Sequence, residues 1–159
     1  MSARPSLWPI ALYLIVAMIL SVLPMPGWAA PLRPDWVALT LIFWSMHVPR
    51  RVGLGATWIC GIALDVLKGA LLGQHALALT VVIFFTLKFR LRMRVFPIWQ
   101  QSVVVLALVA LYEFILYWVD GVAGRSVSGV DRWTPVVTSA LVWPLVAGLF
   151  GRTHRRLVR

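Results

Sequence analysis

Five residues in this sequence carry side chains capable of chemistry within otherwise apolar surroundings: Asp65, Lys68, Gln74, His75 and Glu113. The first four fall in "CGIALDVLKGALLGQHALAL", Cys60 to Leu79, and the fifth in "LALVALYEFILYWVD". Asp65 and Lys68 are three residues apart, so on a helix they share a face and can pair. An ion pair would offset the cost of a carboxylate in a low-dielectric setting. Such a pair could pin a helix end, line a polar pocket or partner contact, or couple to protons or ions. Gln74 and His75 follow Gly73 at a helix start, beside free backbone N–H groups, and are expected to brace the turn. Glu113 is the deepest acid, with Tyr112 adjacent and Tyr117 one turn further on. Two readings stand for it: a protonated carboxyl bonded within the protein, or a contact with a partner helix.

The same inventory excludes other chemistries. No nucleophile stands with a base, so the chain is not expected to be an enzyme. His47 and His154 belong to the opposite end of the chain's layout from His75, so neither a metal site nor a cofactor is expected. The one cysteine, Cys60, forms no internal disulfide and reads as a buried thiol.

The elements that must position these residues follow from composition. The chain has 159 residues, is 61% hydrophobic and only 13% charged, with mean hydropathy +0.88. A water-soluble domain of this size could not hide so much apolar side chain, whereas lipid can solvate it. The expectation is an all-α integral membrane protein of one transmembrane domain. Its six spans lie at about residues 7–23, 35–48, 52–67, 71–87, 96–119 and 133–150. The N-terminal run ends in small residues, as a cleavable leader would, but is longer than usual and reads as an uncleaved first span. The 36 residues from Val52 to Leu87 exceed one span, and Gly69 and Gly73 mark the turn inside them. Pro144 is expected to kink the last span.

Net charge is +10, from 15 Lys+Arg against 5 Asp+Glu. The cations punctuate apolar runs rather than forming a patch, so nucleic acid is not the expected partner. Six spans put 11 of the 15 cations on one side: Arg4, Arg50, Arg51, the four of "KFRLRMR" and the four of the tail "GRTHRRLVR". Only 4 fall on the other side. The positive-inside rule then places both termini in the cytoplasm. Lys88, Arg90, Arg92 and Arg94 read as an inner-leaflet basic loop on anionic lipids, with Phe89, Leu91 and Met93 towards the acyl chains. Trp8, Trp28, Trp36, Trp99, Trp118 and Trp133 flank spans as an interfacial belt. Gly53, Gly55, Ala56 and Gly61 would let a partner helix approach the third span closely.

The stretch from "RPDW" through "PRRVGLG" and "LDVLKGALLGQHAL", with "FPIWQQ" and "TSALVWPL" further on, resembles the MreD family of bacterial rod shape-determining membrane proteins. The resemblance runs from about Leu12 to Leu149; "GVAGRSVSGVDR" matches nothing in it. It implies a multi-pass protein of the bacterial cell inner membrane, in the elongasome. There it would bind the bitopic protein MreC and work with MreB, RodA and the elongation penicillin-binding transpeptidase. Together these organise lateral peptidoglycan synthesis and maintain rod shape. It also implies a fold similar to the six-helix S-components of ECF transporters, and hence an alternative: a binder or transporter of a small or lipid-linked ligand. Fold alone does not decide between them. Asp65, Gly73, Gln74, His75 and Ala76 match the family's signature, which assigns them no catalytic role.

Overall fold

The computed structural model describes residues 6–125 and 129–159. Its described residues form six α-helices and no strand: α1 (Trp8–Val22), α2 (Trp36–His47), α3 (Leu54–Lys68), α4 (Gln74–Val95), α5 (Ile98–Val122) and α6 (Thr134–Val158). Short 3-10 turns at Ala30–Leu32 and Val130–Trp133 lead into α2 and α6. Arg4 and part of "GVAGRSVSGVDR" lie outside the described residues.

α2 is the central post. Ten of its twelve residues are buried, and it packs on α1, α4 and α6. At about 18 Å it is too short to cross a bilayer core by itself. Surrounded by protein, it has no need to, because irregular backbone at its ends is shielded from lipid. α5 and α6 are long and apolar enough to span a membrane. α3 and α4 form an antiparallel hairpin, with Gly69 (φ +62°) and Gly73 (φ +95°) in the left-handed region that reverses the chain. Gly61 lets the pair approach closely: a Cβ there would lie 2.3 Å from the Cα of Ala76. Its small size thus serves contact within the bundle, not a partner helix.

Three buried hydroxyls are satisfied within their own helices. Thr40, Thr57 and Thr86 each donate to the carbonyl four residues back, at 2.8–2.9 Å. Gln101 ties three helices together. Its amide donates to the carbonyls of Met93 and Phe96 at the end of α4, and its oxygen accepts from Trp143 Nε1 of α6. Arg33 seals the end of α1, donating to the carbonyls of Ser21 and Leu23.

Two expectations are corrected. Lys88, Arg90, Arg92 and Arg94 do not form a loop; they occupy the last two turns of α4. Lys, Arg, Leu and Met all favour helix, and nothing breaks the chain before Pro97. Cations in the last turn also complement the helix dipole. Met93 is accordingly buried rather than turned to lipid. The tail "GRTHRRLVR" is likewise helical, extending α6 to Val158 through Pro144. Among the tryptophans, Trp44 and Trp143 are core residues with no exposed surface, whereas Trp8, Trp28, Trp99 and Trp118 are exposed.

Candidate polar site at the acidic end of the bundle

The alternation of six helices gathers all five acids at one end: Asp35, Asp65, Glu113, Asp120 and Asp131. Four of them build two neighbouring polar hubs from α2, α3, α4, α5 and the turn before α6. The first hub is Asp65, whose side chain is fully buried. α4 begins with Gly73, a residue that has no side chain to cap the helix. Asp65 supplies the cap from α3. Its carboxylate accepts from the backbone N–H of Gly73 and of His75 at 2.8 Å, and of Ala76 at 3.5 Å. Three N–H groups at a helix start favour a carboxylate by geometry and by dipole. His75 adds its ring, with Nδ1 2.8 Å from Asp65 Oδ1. A carboxylate only accepts, so Nδ1 carries the proton.

These bonds replace the expected pair between Asp65 and Lys68. Lys68 is exposed at the end of α3 and makes no ion pair among the described residues. The i to i+3 spacing allowed that pairing, but N–H groups delivered across the turn occupy the carboxylate instead.

The second hub is Asp120. Gln74 Nε2 donates to its Oδ1 at 2.8 Å, and an Arg132 guanidinium nitrogen to its Oδ2 at 2.7 Å. Arg132 also reaches Glu113, Nε to Oε2 3.7 Å, and lies 6.0 Å from the centre of the Tyr117 ring. Glu113 is buried, and the carboxyl of Asp35 at the start of α2 lies near it. The backbone N–H of Asp35 donates to Ser139 Oγ of α6 at 2.9 Å. The His75 ring is 6.2 Å from that of Tyr112 on α5.

The two hubs therefore hold Asp65, Gln74, His75 and Glu113 and leave Lys68 at their rim. Sequence reasoning missed Asp35, Asp120, Arg132, Tyr112 and Ser139 as members. Gln74 braces α5 rather than its own turn. Among the described residues no Ser, Thr or Cys side chain hydrogen-bonds His75, and no group of three candidate ligands could hold a metal. His47 and His154 meet each other instead at the opposite end, ring centres 5.0 Å apart.

Beside the cluster, α1 and the end of α3 leave a lipid-facing groove of about 430 Å³, lined by Ile15, Met18, Ile19, Val22, Leu23, Pro24 and Leu67. Neither this groove nor the cavities beside Arg90, Phe89 and Tyr13 are lined by Asp65, His75 or Glu113.

Fold and site together define a helical membrane protein with a polar network locked inside one end of its bundle. The chain belongs to the MreD family: the family model for rod shape-determining protein MreD matches residues 4–153. The rod shape-determining protein MreD of Haemophilus influenzae is 26% identical over 145 residues, which cover 91% of this chain and 90% of that protein. No solved structure matches the chain. Family membership implies a role in determining rod cell shape.

Proposed function

We propose that this protein is a non-catalytic scaffold of the elongasome, crossing the inner membrane six times with both termini in the cytoplasm. Its partner is MreC, whose single transmembrane helix lies in the α1–α3 groove while its next segment meets the polar end. In the same complex stand MreB, RodA and the elongation transpeptidase, and the whole organises lateral peptidoglycan synthesis. One observation carries this reading: the buried Asp65 carboxylate is taken up by the start of α4 and by His75, and the open surface beside it is an apolar groove. Bonds of this kind rigidify rather than react. A groove lined by Ile, Met, Val and Leu accepts an apolar helix by packing, the main source of helix association in lipid.

The S-component-like alternative calls for a hydrated cavity joining Asp65, His75 and Glu113. The direct bonds between Asp65 and His75 weigh against it. The test is co-purification with MreC from detergent. Ile19→Trp with Leu67→Trp fills the groove and is expected to abolish capture. Leu141→Trp with Leu145→Trp, on an equally lipid-facing part of α6, is expected to preserve it. Retention of MreC by the groove-filled variant would overturn the assignment.

A further inference from the structure

The end of the bundle opposite the acids holds a cavity of about 660 Å³ between the end of α2 and the last turns of α4. His47, Arg50, Arg90 and Arg94 supply its polar wall, and Val48, Pro49 and Leu87 the rest. Arg90 and Arg94 are one turn apart on the same face of α4. None of the three guanidiniums bonds an acceptor or forms an ion pair among the described residues.

Charge sets these cations apart from ordinary surface arginines. All five acids of the chain belong to the other end, and α4, which connects the two ends, is about 33 Å long. That distance is several Debye lengths at physiological salt, so the acids cannot neutralise the cavity. The C-terminal carbonyls of α2 contribute about half a negative charge against three positive ones. The cations also cannot spread freely. Pro49 stiffens the chain before Arg50, and Arg90 and Arg94 are fixed to a continuous helix. His47 is held by stacking on Phe43 at 4.2 Å and by Nδ1 bonded to the Phe43 carbonyl at 2.8 Å, which leaves Nε2 free. The His154 ring of α6 closes on it from behind.

We infer that this cavity is a binding site for a phosphate-bearing anion of two or more negative charges, held by Arg50, Arg90 and Arg94. Guanidinium forks match phosphate oxygens in pairs. Position at the membrane boundary fits a lipid headgroup with two phosphates, and basic pockets between membrane helices take such headgroups. A soluble diphosphate offers the same chemistry. The site is independent of the MreC reading, since it uses none of the groove or of the acidic cluster.

The test compares two double variants of equal charge on the same turns of α4. Arg90→Gln with Arg94→Gln empties the cavity wall; Lys88→Gln with Arg92→Gln neutralises the other side of the helix. Purified protein is titrated with cardiolipin in phosphatidylcholine nanodiscs, and separately with inorganic pyrophosphate in detergent. Binding is read by native mass spectrometry and by the thermal midpoint. The cavity pair is expected to weaken binding about tenfold or more, with the control pair within about twofold of wild type. Cardiolipin binding without pyrophosphate binding assigns a lipid headgroup; pyrophosphate binding assigns a soluble anion. Equal losses in both variants would mean diffuse surface attraction and would overturn the site, as would no binding of either probe to wild type. A variant that fails to fold is recognised by its unliganded midpoint and replaced by Arg50→Gln, which sits outside the helices, with the same outcomes.

Discussion

At the scale of single residues, Asp65 decides the architecture of the acidic end. It accepts three bonds of 2.8 Å from the start of α4 and from His75. Replacing it with Ala leaves those donors buried and unpaired, each at about 1–3 kcal/mol. Asp65→Ala is therefore expected to lower stability by about 3 kcal/mol or more. His75→Ala removes one donor and leaves the carboxylate capped, so its effect should be less than half as large. Thermal unfolding in detergent, read with monodispersity, checks the order of the two. Equal midpoints for Asp65→Ala and wild type would show that the cap is dispensable. The residue types at this end were legible in the sequence, but their partners were not. Asp35, Asp120 and Arg132 sit on three separate segments and look like ordinary flanking charges until the helices bring them together. Asp65 and Lys68 have a spacing that suits a pair, and only the geometry of the turn shows that nearer donors win.

At the scale of elements, the α3–α4 hairpin depends on one close approach. Gly61→Ala places a methyl group against the Ala76 backbone at 2.3 Å, and neither helix can shift without disturbing the Asp65 cap. The expected loss is about 1–3 kcal/mol. Ala76→Gly relieves only part of it, because the Cα and N of Ala76 remain in the way. A double-mutant cycle on thermal unfolding measures this coupling, and additive effects would contradict the close contact. The apolar cores of the helices were readable because each run is long and bounded by Pro, Gly or charge. Their ends were less so. The basic ends of α4 and α6 read as a loop and a tail because charge interrupts hydropathy, although Lys, Arg, Leu and Met propagate a helix as well as apolar residues do. The shortness of α2 was visible as well, but its central position was not: burial on every side comes from packing against α1, α4 and α6.

At the scale of the whole molecule, the bundle is polarised, with acids at one end and the majority of the cations at the other. Such a distribution orients a protein in a membrane. In a Cys60→Ala background, Trp28→Cys and Arg125→Cys are expected to react with an impermeant maleimide from the periplasmic side of intact cells. Arg51→Cys and Arg156→Cys are expected to react only after permeabilisation. Reaction of Trp28→Cys and Arg156→Cys from the same side would contradict an even number of crossings. In the proposed scheme the polarity also separates tasks, with the acidic end beside the α1–α3 groove and the basic end towards anions.

Docking of MreC in that groove is tested most directly by photo-crosslinking in living cells. A benzoylphenylalanine placed at Ile19 or Leu67 is expected to form an adduct with MreC on irradiation, and one placed at Leu141 is not. Adducts from Leu141 but not from Ile19 or Leu67, in cells where each variant still supports rod shape, would put the partner on another face and contradict the groove.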